Sequence, residues 1–205
     1  VGFSDATALL GWAHAAGVRG IHGPTIQQLG ELAEADITQL IAMLTDPRPP
    51  GLRPWSLAAS SLGGRGTHRG PLVTANLTMA SMLVGTPWSL PLAGAVALLE
   101  EVGERPYEID RSLTQLILTG ALAQTAAVIV GDLVRCDDKD PPAGDVDPDD
   151  AALRTFLERL AAADKPAASG APIGHGTRNE AVPFGAACEL DLDRGTFAIT
   201  EAAVA

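Results

Sequence analysis

Two short segments concentrate the residues whose types suit chemistry. AVALLEEVGERPYEIDRSLTQL, residues 95–116, runs an apolar stretch straight into two adjacent carboxylates, Glu100 and Glu101. GAPIGHG, residues 170–176, sets His175 between two glycines. An unperturbed imidazole titrates near neutrality, so His175 suits proton exchange. Its flanking glycines let the backbone turn sharply and come close to a ligand. Successive strand side chains point to opposite faces, so Glu100 and Glu101 cannot both enter one cavity. They therefore do not suit a carboxylate pair sharing acid and base roles. One of them can orient an imidazole and fix its tautomer, while the other bonds locally or reaches solvent. The bland alternatives are a glutamate that caps the next turn or pairs with Arg105 or Arg111, and an exposed loop histidine. Taken together, Glu100 and His175 suggest the later two-thirds of a nucleophile–acid–base triad. A nucleophile is harder to find. Ser4 in GFSD is the nearest by context, neither Cys136 nor Cys188 has a suitable setting, and no G-x-S-x-G elbow occurs.

The other polar residues carry weaker signals. His22 in IHGP either lines the same cleft or bonds a backbone carbonyl. His14 falls within a helical pattern and His68 within a loop. His22, His175 and an Asp would make a metal site only without any close pair of ligands to anchor it, and no cofactor is expected. DDKDPPAGDVDPDD, residues 137–150, holds seven Asp and one Lys. It lacks the residue order of an EF-hand and reads as a solvated acidic loop.

The elements that must position these groups alternate between strand and helix. A helix through ATALLGWAHAAG is capped by Ser4 or Asp5 and closed by Gly17. VRGIHGP is a short strand and turn, and residues 26–44 suit one or two short helices. GTHRGPLVTA starts as a loop that leads into a helix over 76–84. AVALL is then a buried strand that ends at the carboxylates, IDRSLTQLILTGALA a helix and AAVIVGDLV the next strand. DDAALRTFLERLAAA, residues 149–163, is a helix capped by Asp149 or Asp150. ACELDLDRGTFAIT has the alternation and turn of a β-hairpin. The alternation gives an α/β class. In such folds the carboxyl ends of the strands line the site, which is where Glu100 and the His175 loop fall.

Composition sets outer bounds. Of 205 residues, 46% are apolar and 19% charged, which is globular chemistry. The formal net charge of −11 argues against a basic nucleic-acid stripe. ALAQTAAVIV is too short to cross a bilayer and no signal peptide is seen, so a soluble, cytoplasmic protein is expected. Two cysteines without metal-site spacing read as free, partly buried thiols.

Several stretches, in order, resemble one family: GFSDATALL, IHGP, LVTANLTMASMLVGTPW, ALLEEVGERPYEIDRSLTQL, KPAASGAPIGHG and AVPFGAACELDLDRGTFAITEAAV. They resemble the LD-carboxypeptidases, also called muramoyltetrapeptide carboxypeptidases, which are serine peptidases. The resemblance implies a two-domain α/β fold. Residues 1–22 would be the tail of the nucleophile-bearing N-terminal domain and linker. Residues 23–205 would be the C-terminal α/β domain, which ends in a β-hairpin. It implies Glu100 and His175 as the catalytic glutamate and histidine. The family's serine lies upstream of the SD-x-T-A stretch and so outside these residues. The implied reaction releases terminal D-alanine from murein tetrapeptides in peptidoglycan recycling. The implied partners are a muropeptide and the serine-bearing domain, in cis or as a separate chain, with no nucleic acid and no membrane. Dimerisation is common in that family, although nothing in the periodicity shows it. This sequence departs from the family in Thr74-Ala75-Asn76-Leu77, where Gly-Gly-Asn-Leu is usual, and in Glu101, where Asp is usual. Arg65, Arg69, Arg105 and Arg178 are candidates to bind the substrate carboxylate. Two rival readings stand beside this one. The first is an immunity hydrolase of peptide–nucleotide antibiotics, which would need an aromatic lid for which only Trp55 and Trp88 are near. The second is a non-catalytic peptide-binding piece.

Overall fold

A computed structural model describes residues 1–62, 64–138 and 150–204. Helix α1 (Thr7–Ala15) precedes the short strand β1 (Ile21–His22), and α2 (Glu34–Thr45) leads to the edge strand β2 (Ala58–Ala59). The central run follows as β3 (Thr67–Asn76), α3 (Leu77–Leu83), β4 (Val96–Val102), α4 (Pro106–Leu118), β5 (Ala127–Val134), α5 (Ala151–Ala162) and β6 (Ala167–Ser169). The short β7 (Val182–Pro183) and the hairpin of β8 (Ala187–Asp191) and β9 (Thr196–Ile199) close the chain. Seven strands form one mixed sheet in the order β2-β6-β5-β4-β3-β8-β9, and β1 pairs with β7 apart from it. Strands β3 to β6 run parallel, each joined to the next through a helix. The hairpin adds antiparallel to β3. This is the α/β class with a terminal hairpin that the alternation predicts.

Strand periodicity divides the core. In β4, Ala97 and Leu99 face α3, α4 and α5, where they pack with Ile109, Leu113, Leu116, Phe156 and Leu160. Val96 and Leu98 face the opposite side, toward Trp55, Ile129, Ile173 and Val182. Buried on both faces, β4 and β5 read as continuous apolar runs, as central parallel strands do. Helix α4 has Pro106 in its first turn, and the Glu108 side chain accepts from the Arg105 amide, so its start is defined locally.

Four local expectations change. Residues 67–75 are strand rather than loop. Gly70 and Pro71 weaken the strand pattern, but β8 pairs with residues 67–71 and β4 with residues 72–76, so pairing on both sides overrides propensity. Strand β4 runs through both acids to Val102 instead of ending at Leu99. Neither Ser4 nor Asp5 caps α1; a 3-10 turn over Ser4–Ala6 leads into it, and the Thr7 hydroxyl accepts instead from the Asn76 amide of β3. Asp150 does not cap α5, whose Ala152 amide donates to Asp137 at 3.2 Å. The acidic stretch over 139–149, Asp149 included, lies outside the described residues.

Candidate active site

The carboxyl ends of β3, β4 and β5 lie side by side and present Asn76, Glu100 with Glu101, and Asp132. The loop from Pro172 to Glu180 folds over them. Glu100 is fully buried on the face shared with Leu98, and its Oε2 accepts from His175 Nδ1 at 2.8 Å. A carboxylate opposite Nδ1 places the proton there and leaves the lone pair on Nε2. The imidazole keeps 21% exposure, so the base is reachable while its partner is dry. Burial pushes the Glu100 carboxyl above the usual carboxylate range, against the pull of its bond to His175. Phe3 packs against the imidazole with its ring tilted by 55° and 4.7 Å between ring centroids.

Glu101 points the other way, as strand alternation requires. It accepts from the Asn76 side-chain amide at 2.9 Å, from the Thr78 amide and hydroxyl at 2.9 and 2.7 Å, and from its neighbour Val102 at 2.9 Å. Asn76 in turn caps α3 by accepting from the Met79 amide. The adjacent acids therefore have separate tasks: Glu101 ties the start of α3 to β4, and Glu100 engages the imidazole. Arg105 pairs with Glu108 and Arg111 lies over the Tyr107 ring, so neither takes up Glu100.

The loop carrying His175 is anchored at several points. The Glu180 amide donates to the Pro172 carbonyl, and Asn179 accepts from the Gly174 amide at 3.3 Å. Glu180 is fully buried and accepts from Arg53 at 2.7 Å and Trp55 at 2.9 Å, while Arg178 pairs with it as well. Arg53 also pairs with buried Asp36 of α2. Of the four arginines considered for a substrate carboxylate, Arg178 is the one in the His175 loop. Arg69 pairs with Glu189 beside the hairpin, Arg105 with Glu108, and Arg65 lies just before β3.

The remaining sequence candidates disperse. Ser4 has a left-handed φ of +59°, yet no hydrogen bond joins its hydroxyl to His175 among the described residues. Burial pushes both free thiols, Cys136 and Cys188, up to about 12, which makes them poor nucleophiles. His14 meets the Phe184 ring, and His68 lies in β3 against the Arg65 carbonyl. Among the described residues, no three His, Cys, Asp or Glu side chains stand together as metal ligands. Sequence reading missed Phe3, Asn76 and Asp132. Asp132 follows an apolar strand as Glu100 does, and the same strand-end rule would have found it.

His22 is fully buried, with neither ring nitrogen hydrogen-bonded. Burial, then the nearby His175, lower its pKa to about 3. Below its unfolded value near 6.5 the unfolded chain binds a proton that the folded chain refuses. Stability from this group is therefore present above about pH 6.5 and falls toward pH 3, by about 1.4 kcal/mol per pH unit. Urea titrations from pH 7 to pH 4 on wild type and His22→Leu should show the steeper acid loss in wild type. Parallel profiles would refute it.

Comparison with known proteins agrees with this architecture. The family model for the LD-carboxypeptidase C-terminal domain matches residues 69–190, more than half of the chain. The chain belongs to the LD-carboxypeptidase family. It is 32% identical over 210 residues to the murein tetrapeptide carboxypeptidase of Pseudomonas aeruginosa, covering 95% of this chain and 63% of that protein. A crystal structure of muramoyltetrapeptide carboxypeptidase from Oxalobacter formigenes superposes with a TM-score of 0.78 at 26% identity, covering 96% of this chain and 66% of that one. MccF in complex with glutamyl sulfamoyl guanosine shares the fold, with a TM-score of 0.77 at 22% identity over 100% of this chain and 68% of that one. The chain thus spans less than two thirds of the length of curated relatives that it matches, 62–63% for three of them.

Proposed function

We propose that this chain supplies the base and its orienting acid to a serine-type LD-carboxypeptidase that releases terminal D-alanine from murein tetrapeptides during cytoplasmic peptidoglycan recycling. The buried 2.8 Å contact between Glu100 and His175, at the carboxyl ends of parallel strands, carries this reading. His175 Nε2 takes the proton of an attacking serine hydroxyl as the oxygen bonds to the amide carbonyl carbon. Glu100 holds the resulting imidazolium. The imidazolium then protonates the departing D-alanine amine, and a water deprotonated by the same nitrogen releases the acyl group. The serine comes from outside these 205 residues, in cis or on a separate chain. Arg178, on the same loop as the base, is the cation best placed for the substrate carboxylate.

Cleavage of acyl nucleotides asks for an aromatic lid. Trp55 is buried, its indole N–H held by Glu180 and its ring stacked on Phe197 at 4.7 Å, and Trp88 precedes the amino end of β4. Neither stands over His175, which favours the muropeptide. D-alanine release from a murein tetrapeptide tests the assignment, with the chain alone and with the chain joined to the serine-bearing domain of a relative. Release is expected only from the joined protein. Release by the chain alone would overturn the external nucleophile, and a folded joined protein without activity would overturn the assignment.

A further inference from the structure

The bulge in β5 places a second carboxylate against the His175 loop. Between Leu99 and Glu101 of β4, two steps along the strand face three along β5, from Val130 to Leu133. The extra residue falls at Gly131–Asp132. Bulges of this kind re-aim a side chain at the end of a strand. Asp132 then contacts the loop on both sides of His175. Its amide donates to the Ile173 carbonyl at 2.8 Å, and its Oδ2 accepts from the Gly176 amide at 3.0 Å. One residue thus brackets Gly174 and His175, through its main chain on one side and its carboxylate on the other.

The two glycines beside His175 are explained by this bracket. A Cβ at Gly176 would lie 2.5 Å from Asp132 Oδ2. Gly174 has φ of +135°, and a Cβ there would meet Asp132 Cβ at 3.0 Å and Glu100 Cβ at 3.1 Å. The loop settles onto Asp132 and Glu100 together because nothing but hydrogen intervenes. Burial raises the Asp132 carboxyl, while the Gly176 amide, His175 and Arg178 favour its charged form.

We propose that Asp132 is a positioning residue for the base: its carboxylate fixes the 174–176 turn so that His175 Nδ1 meets Glu100 and Nε2 faces outward. Glu100 sets which nitrogen holds the proton, and Asp132 sets where the ring stands. The role in turnover rests on reading His175 as the base, but the placement of the ring can be measured without turnover.

The test uses the 205-residue chain with ¹⁵N labelling. Imidazole nitrogen shifts report the His175 tautomer, and hydrogen exchange reports the Gly176 amide. Asp132→Ala should speed exchange at Gly176 by about tenfold, the loss of one net hydrogen bond, and mix the two His175 tautomers. Asp132→Asn keeps an acceptor oxygen and should restore both readouts to within about twofold of wild type. In the joined enzyme, Asp132→Ala should lower kcat more than it raises KM, with rescue by Asn. A general structural role would instead speed exchange across β5 as a whole. The proposal is overturned if Asp132→Ala leaves the Gly176 and His175 signals unchanged, or if Asp132→Asn loses them while folded. The second criterion holds even if the alanine variant fails to fold. Unchanged turnover with altered His175 signals would instead count against His175 as the base.

Discussion

Replacing His175 with Ala in the joined, serine-containing protein should lower kcat by at least about 10⁴-fold, while the thermal transition moves by only a few degrees. The imidazole is partly exposed and has a buried carboxylate behind it. Its removal leaves the serine without a base and the leaving amine without a proton donor. Glu100→Gln should cost a similar factor by another route. Its amide can present N–H to Nδ1 and so favour the tautomer with the proton on Nε2, where the base is needed. The two losses should not multiply in the double variant, because the groups act as one unit. Steady-state kinetics on a tetrapeptide, beside circular dichroism of each variant, checks this. Near-normal turnover by His175→Ala would remove the histidine from the mechanism, and multiplicative losses would separate the two residues.

The second large effect is expected on stability. Glu180→Ala should destabilise the fold by about 3 kcal/mol, a fall of roughly 6–12 °C in Tm for a chain of this size. Glu180 is fully buried and shared by Arg53, Arg178 and the Trp55 indole. Its loss leaves the indole N–H unpaired in the core, takes from Arg178 its paired carboxylate and leaves Arg53 with Asp36. Both arginines remain partly solvated, which holds the cost below that of a wholly enclosed pair. Glu180→Gln keeps an acceptor for Trp55 or Arg53 and should cost about half as much. Guanidinium denaturation of the three proteins measures it. A Glu180→Ala midpoint equal to wild type would show that the network adds no net stability.

Legibility differed from residue to residue. The apolar run of β4, the amphipathic pattern of α4 and the Asp-Arg-Gly turn between β8 and β9 could be read directly, because side-chain period and turn chemistry are local properties. Opposite-face alternation also separated Glu100 from Glu101 before any contact was known. Strand β3 is obscured because Gly70 and Pro71 break the pattern, and its partners lie 24 or more residues away in sequence. The helix caps were misassigned for the same reason. Asp137 takes the role at the start of α5 that the nearer Asp149 and Asp150 seemed to fill, and no side chain caps α1, whose Thr7 hydroxyl instead accepts from Asn76 of β3.

By itself, then, the sequence determined the alternation of strands and helices, the faces they bury, the family motifs and the two residues, Glu100 and His175, suited to acid–base work. Only the tertiary structure decided that these two meet, 75 positions apart at 2.8 Å. It also showed that Asp132 grips the loop from a bulge and that His22 is buried without charge. Periodicity and turn preference act over a few residues and are written in the chain. Register, desolvation and the closing of one loop over three strand ends depend on which distant segments pack together, and no local pattern encodes that.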